Sequence, residues 1–207
     1  MKEFDELYEI IKYLRSEKGC PWDRQQTSET ISFDLVEEAY EVNDAIESKN
    51  IEKLKEELGD LLFLVLMHIR IKEEEGVFTL GEILANTKEK MVHRHPHVFG
   101  DRIFQNINQL LENWEKTKIN AFKTIPDFLP ALLQGQKIIE KVRRLNPDMN
   151  PEEIYNFLTK NIDELDKNEQ EILQALINAT FNNKPLEKSL RSKFIKLKKN
   201  LAEGLLQ

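Results

Sequence analysis

Seven consecutive apolar residues, Leu61-Leu62-Phe63-Leu64-Val65-Leu66-Met67, lie inside a proline-free stretch bounded by Asn50 and Gly76. The run is too short to cross a bilayer, which takes about 20 apolar residues in a helix. It is apolar around its whole circumference, so a helix that contains it must be buried on several sides at once. Four helices in one small monomer barely provide that much cover. The run therefore predicts a second subunit packed against it, in a homodimer or a larger homo-oligomer.

The stretch itself reads as one long helix, with Asn50 as its cap and Gly76 as its stop. Its neighbours carry the same periodicity. Phe4, Leu7, Ile10, Ile11 and Leu14 fall at helical spacing before a stop at Gly19. A short polar loop follows, from Cys20 to Gln26. Thr27 or Ser28 can cap a second helix that carries Ile31, Leu35, Val36, Ala39, Val42 and Ile46. Thr79 with Glu82 has the form of a capping box, and the helix it opens runs to about Arg94 before Pro96 breaks it. Residues 1–95 thus predict four amphipathic helices with short connections, packed as an antiparallel bundle. Gly and Pro, seven each in 207 residues, are too scarce for a turn-rich β fold, and the fold class is all-α.

Residues 96–130 are less regular, with Trp114 on a short polar helix and breaks at Pro126 and Pro130. Asn150-Pro151-Glu152-Glu153 marks a strong helix start: a cap, a proline at the first helical position, then acids in the first turn. Helical patterns continue through Leu197. The expected division is a first domain of residues 1–120 and a helical second domain of residues 121–207.

Charge and cysteine content narrow the function. The net charge of −7 argues against nucleic acid as a partner, since that task needs a cationic surface. A single cysteine, Cys20, rules out an intrachain disulfide and fits a reducing compartment. The first residues lack a signal-peptide pattern. The expectation is a cytoplasmic protein with no membrane partner.

The chemistry-bearing residues are carboxylates. The second helix carries Glu37-Glu38-Ala39-Tyr40-Glu41 and the third Glu56-Glu57-Leu58-Gly59-Asp60. Residues three or four apart share a helix face, so Glu38 points with Glu41, and Glu57 with Asp60. If the two helices are antiparallel neighbours, four carboxylates converge. Such a group cannot stay ionised without compensation, because like charges raise one another's pKa. All-oxygen ligation suits Mg²⁺, with Mn²⁺ as the other possibility. Gly59, in mid-helix, would let a neighbouring helix, a metal or a phosphate approach closely. A di-iron bundle would use Glu-x-x-His pairs, and none occurs in this chain. His93, His95 and His97 lack nearby thiolates and make a poor zinc site.

These residues fall in a familiar order. Cys20-Pro21-Trp22-Asp23, Gln26-Thr27, Glu37-Glu38-x-x-Glu41, Glu57-Leu58-Gly59-Asp60-Leu61-Leu62 and Arg94-His95-Pro96-His97-Val98-Phe99-Gly100 resemble the MazG family across about residues 5–118. The resemblance implies an all-α nucleoside triphosphate pyrophosphohydrolase that cuts between the α- and β-phosphates. It implies metal ligation by Glu38, Glu41, Glu57 and Asp60, with Glu37 as a supporting carboxylate or general base. Lys90 and Arg94, one turn apart, are candidate phosphate contacts, and Trp22 a candidate for stacking on a base. Ser28 and His93 depart from the family pattern, which puts substrate preference in question.

Many members carry two such domains in tandem. Here Ile125 to Ile138 resembles the entry to a second copy, but Lys160-Asn161-Ile162-Asp163-Glu164 and Glu171-Ile172-Leu173-Gln174 stand where its acidic motifs would be. A half without those acids is expected to be a degenerate, non-catalytic repeat. The functional expectation is hydrolysis with broad nucleotide specificity. The alternative is a nucleotide-sensing or regulatory scaffold that keeps the fold without turnover.

Overall fold

The computed structural model describes residues 2–116, 121–162, 164–184 and 186–204. The side chain of Trp114 and the expected boundary near residue 120 fall outside them. All regular structure among the described residues is helical. None of the described helices is long and apolar enough to cross a membrane. The chain divides into two compact units, Met1–His93 and Arg94–Gln207.

The first unit is organised by α1 (Lys2–Leu14), α2 (Pro21–Gln25), α3 (Ser32–Ser48), α4 (Ile51–Glu74) and α5 (Leu80–Arg94), whose last residue passes into the second unit. The long helix α4 is the hub. It lies against α3 along most of its length and against α1 near its C-terminal end. Its Leu66, Met67, Ile69 and Ile71 close a core with Tyr8 and Ile11 of α1 and with Ile31. Within the apolar run, Leu66 and Met67 are buried, while Leu62 and Val65 each stay 40% exposed. One flank of the run is therefore only partly covered within its own unit.

Local capping chemistry sets the ends of α4. The Asn50 side chain accepts the Lys53 N–H at 3.1 Å. At the other end Gly76 takes a positive φ of 70°. Its N–H bonds the Glu73 carbonyl, and the Val77 N–H bonds that of Lys72, so two orphan carbonyls are satisfied. Thr79 and Glu82 form the reciprocal bonds of a capping box at the start of α5. Beyond Ile83, however, α5 buries nothing and does not run along the other helices. Its middle, Asn86 to Lys90, offers no large apolar residue to bury.

Two features differ from the sequence expectation. Thr27 and Ser28 do not cap α3, which begins at Ser32 without a side-chain cap. Thr27 and Thr30 instead exchange side-chain and backbone hydrogen bonds in a turn of their own. The Cys20–Gln26 segment contains the short helix α2 and is clipped from inside by Arg15. The Arg15 guanidinium donates to the carbonyls of Asp23 and Gln26 and forks onto Glu74 of α4 at 2.8 Å. At Gly19 a β-carbon would overlap the carbonyl oxygens of Tyr13 and Leu14, so only glycine lets the loop turn back under α1.

The second unit contains α6 (Pro96–Phe99), α7 (Ile107–Lys116), a 3₁₀ turn at Ala121–Thr124, α8 (Ala131–Leu145), α9 (Pro151–Thr159), α10 (Lys167–Phe181) and α11 (Leu186–Gly204). Here α8 is central and packs on α7, α9 and α10. Ile139, Val142, Ile154, Leu158, Leu176 and Ile177 form a separate core. Asn150 with Glu153, and Asp166 with Glu169, build two capping boxes that start α9 and α10. This unit has its own apolar interior and its own helix-start chemistry.

Candidate metal centre

The α3–α4 hairpin turns at Lys49, which adopts a left-handed φ of 56°. Two short links hold the turn, Lys49 N–H to the Ile46 carbonyl and Asn50 N–H to that of Ala45. The tight reversal makes the helices antiparallel neighbours and brings their acidic stretches face to face. Glu38, Glu41 and Glu57 each place a ligand atom within 4.8 Å of the others. Among the described residues they form the one group of at least three ligating side chains that close together.

Glu57 is buried, and Glu38 and Glu41 are half-buried. Burial raises the Glu38 carboxyl above the usual range, and the charges of Glu41, Asp60, Glu57 and Glu37 raise it further. Glu57 is raised by burial first, then by the charge of Glu41 and a hydrogen bond with it. Lys53, one turn earlier on α4, opposes that shift from 3.6 Å and also faces Asp44 at 3.8 Å. The Glu38 Oε2 atom is buried without a hydrogen-bond partner among the described residues. A buried carboxylate oxygen without a donor is costly unless something positive meets it. Clustered, mutually repelling oxygens with one left bare fit a hard divalent cation.

The other residues singled out from the sequence lie around this group with less constraint. Asp60 is exposed and lies outside the three-residue group, though its charge reaches Glu38. Three residues advance a helix by about 300°, so Asp60 sits roughly 60° off the line through Glu57, and its side chain is one methylene shorter. Glu37 is exposed. A β-carbon at Gly59 would meet nothing within 4 Å, so the approach expected there is not made by this chain's own first unit. Lys90 is exposed on α5 and Trp22 is 61% exposed on α2. Arg94 is half-buried and belongs to the second unit. The rings of His95 and His97 lie 5.7 Å apart, and His97 also meets Phe104 edge-on.

Sequence reasoning missed Lys53 and Arg15. Lys53 was legible as a cation four residues before Glu57, on the same helix face. Arg15 left no local signal, because its carboxylate partner is Glu74, far along the chain.

Comparison with known proteins identifies the family. Residues 26–99 match the model of the MazG nucleotide pyrophosphohydrolase domain, a span that contains all five acidic residues. A nucleoside triphosphate pyrophosphohydrolase/pyrophosphatase MazG of Thermotoga maritima is 38% identical over 171 residues, covering 78% of this chain and 66% of that one. A nucleoside triphosphate pyrophosphohydrolase of Escherichia coli is 37% identical over 188 residues, covering 86% of this chain and 71% of that one. The YabN protein of Bacillus subtilis is 40% identical over 144 residues, which is 66% of this chain but 29% of YabN. The chain thus spans less than a third of YabN and about two thirds of the T. maritima protein. On its motifs, its all-helical fold and these identities, the chain belongs to the MazG family of nucleotide pyrophosphohydrolase domains.

Proposed function

We propose that this chain hydrolyses nucleoside triphosphates between the α- and β-phosphates, yielding a nucleoside monophosphate and pyrophosphate. The observation that carries the reading is the convergence of Glu38, Glu41 and Glu57 around a bare, buried Glu38 oxygen. Two of the relatives above bear the corresponding activity in their names.

In this reading Glu38, Glu41 and Glu57 hold Mg²⁺, with Mn²⁺ able to replace it, and Asp60 completes the set from the exposed edge. When bound there, the ion supplies charge neutralisation for the triphosphate and lowers the pKa of coordinated water. The protein's own part is to aim three carboxylates at one point through the antiparallel hairpin, and a bound cation would offset the repulsion that raises Glu38 and Glu57. Glu37, exposed beside Glu38, takes the proton released when water attacks. Lys90 and Arg94 contact phosphate oxygens, and Trp22 offers its exposed ring to a base. None of these groups reads a base edge, which supports broad specificity and a role in clearing unwanted nucleotides.

The same reading includes a homodimer in the cytoplasm. Leu58, Leu62 and Val65 of α4 are exposed at spacings of four and three residues, a stripe that a second copy would cover. The lone Cys20 is consistent with a reducing compartment. The second unit is assigned no catalysis, because Lys160 to Glu164 and Glu171 to Gln174 stand where a second copy would carry its acidic motifs.

Replacing Glu57 by Gln tests the assignment. The swap keeps the shape but removes a ligand charge, and turnover is expected to fall by at least about 100-fold while nucleotide binding is retained. Near-wild-type turnover in Glu57→Gln would remove the carboxylate group from the mechanism.

A further inference from the structure

A second concavity lies wholly within the second unit, between α7, α8 and the end of α10, and has no part in the carboxylate site. Its volume is about 520 Å³, within the usual range for a small-molecule pocket. Its lining among the described residues is cationic, in a protein whose net charge is −7: Arg143, Arg144 and Lys184 against the acid Glu140. Glu140 is engaged by Lys137 at 3.2 Å, by the Gln136 amide at 2.8 Å and by Arg144 at 3.8 Å. The Arg143 guanidinium donates to the Thr180 carbonyl and stacks on the Phe181 ring at 4.7 Å, and among the described residues these partners carry no formal negative charge. Those contacts hold the guanidinium plane in place, which reduces the entropy lost on meeting an anion. Gln136 is buried, and its Oε1 has no hydrogen-bond partner among the described residues. A buried amide acceptor calls for an N–H or O–H donor.

We propose that this pocket binds a nucleoside monophosphate, with the phosphate on Arg143 and Lys184 and a donor on the nucleoside facing Gln136 Oε1. The phosphate chemistry follows from the pocket alone. The choice of nucleoside monophosphate, the product of the hydrolysis proposed above, rests on that reading. The second unit is then a ligand-binding module that has no need of the acids its sequence lacks. The Arg143 guanidinium suits a planar, bidentate grip on phosphate oxygens, and Leu111 supplies an apolar wall for the nucleoside.

The test is calorimetric titration of the full 207-residue chain with adenosine 5′-monophosphate, and separately with inorganic phosphate and pyrophosphate, in excess EDTA. Chelator silences metal-dependent binding at the carboxylates, so the two sites are read apart. The expected result is monophosphate binding with Kd below about 1 mM. Inorganic phosphate is expected to bind at least about tenfold more weakly, for want of a nucleoside to lie on Leu111 and reach Gln136. Glu57→Gln leaves this binding intact. Lys184→Glu and Arg143→Gln each weaken it by about tenfold or more. Arg143→Gln loses the Phe181 stack, and circular dichroism checks that it still folds; if it does not, exposed Lys184 decides the matter. No binding in EDTA, binding indifferent to Lys184→Glu, or binding abolished by Glu57→Gln each overturns the proposal. Equal affinity for inorganic phosphate overturns the nucleoside assignment. Failure of the hydrolase reading shows instead as absent turnover with metal, a separate assay.

Discussion

Glu41 on α3 and Glu57 on α4 face each other across the hairpin with ligand atoms within 4.8 Å, and burial followed by the charge of Glu41 raises the Glu57 carboxyl above its ordinary range. The place that would take the proposed cation therefore also favours a proton. Protons and metal compete there, and this couples metal affinity, stability and pH.

The sign of the coupling follows from the raised pKa values of Glu38 and Glu57. Both carboxyls titrate above their ordinary value of 4.5 in the folded chain. Between the ordinary and the raised values the folded state binds more protons than the unfolded one, so these groups lose stability as pH rises through that window. In EDTA, wild-type stability relative to Glu57→Gln is expected to decline as pH climbs from the ordinary carboxylate range, measured by urea denaturation. Added Mg²⁺ should stabilise the wild type more strongly the higher the pH, because the ionised form is the one that ligates. Protection by Mg²⁺ that is flat or falls with pH contradicts the assignment.

Lys53 stands 3.6 Å from Glu57 and competes with any cation for its charge. Lys53→Met should tighten Mg²⁺ binding by about threefold, a modest figure because Lys53 is partly solvated and screened. Calorimetry with Mg²⁺ alone checks this. Weaker binding in Lys53→Met would mean that the lysine orders the carboxylates rather than competing for them.

Arg15 clips the α2 segment to α4 through two carbonyls and Glu74. Arg15→Ala takes a donor from one buried and one part-buried carbonyl and leaves Glu74 to Arg70, and should cost roughly 1–3 kcal/mol. Arg15→Lys should recover little of this, since an ammonium cannot make the same fork. Equilibrium denaturation gives the numbers. A loss below about 0.5 kcal/mol would make the clip incidental.

How much was legible in the sequence depended on how local the cause was. Asn50, Gly76 and the Thr79–Glu82 pair gave the ends of α4 and the start of α5, because caps act within one helical turn. The acidic pairs were legible because i,i+3 and i,i+4 spacing fixes a shared face, and the two-residue turn at Lys49 and Asn50 does bring Glu38, Glu41 and Glu57 together. Asp60 shares a face with Glu57 but lies outside the three-residue group, because three residues along a helix leave an angular offset of about 60°. The start of α3 was misplaced because Thr27 found Thr30 as a partner instead of a helix N–H. Arg15 with Glu74 could not be read at all, because it depends on how α1 docks on α4.

The most direct test of the central claim is product analysis. The chain is incubated with each ribo- and deoxyribonucleoside triphosphate, with Mg²⁺ and with chelator, and the products are separated by ion-exchange chromatography. The account predicts nucleoside monophosphate and pyrophosphate in equal amounts, formed only with metal and across several bases. Nucleoside diphosphate with inorganic phosphate, or turnover indifferent to chelator, would contradict it.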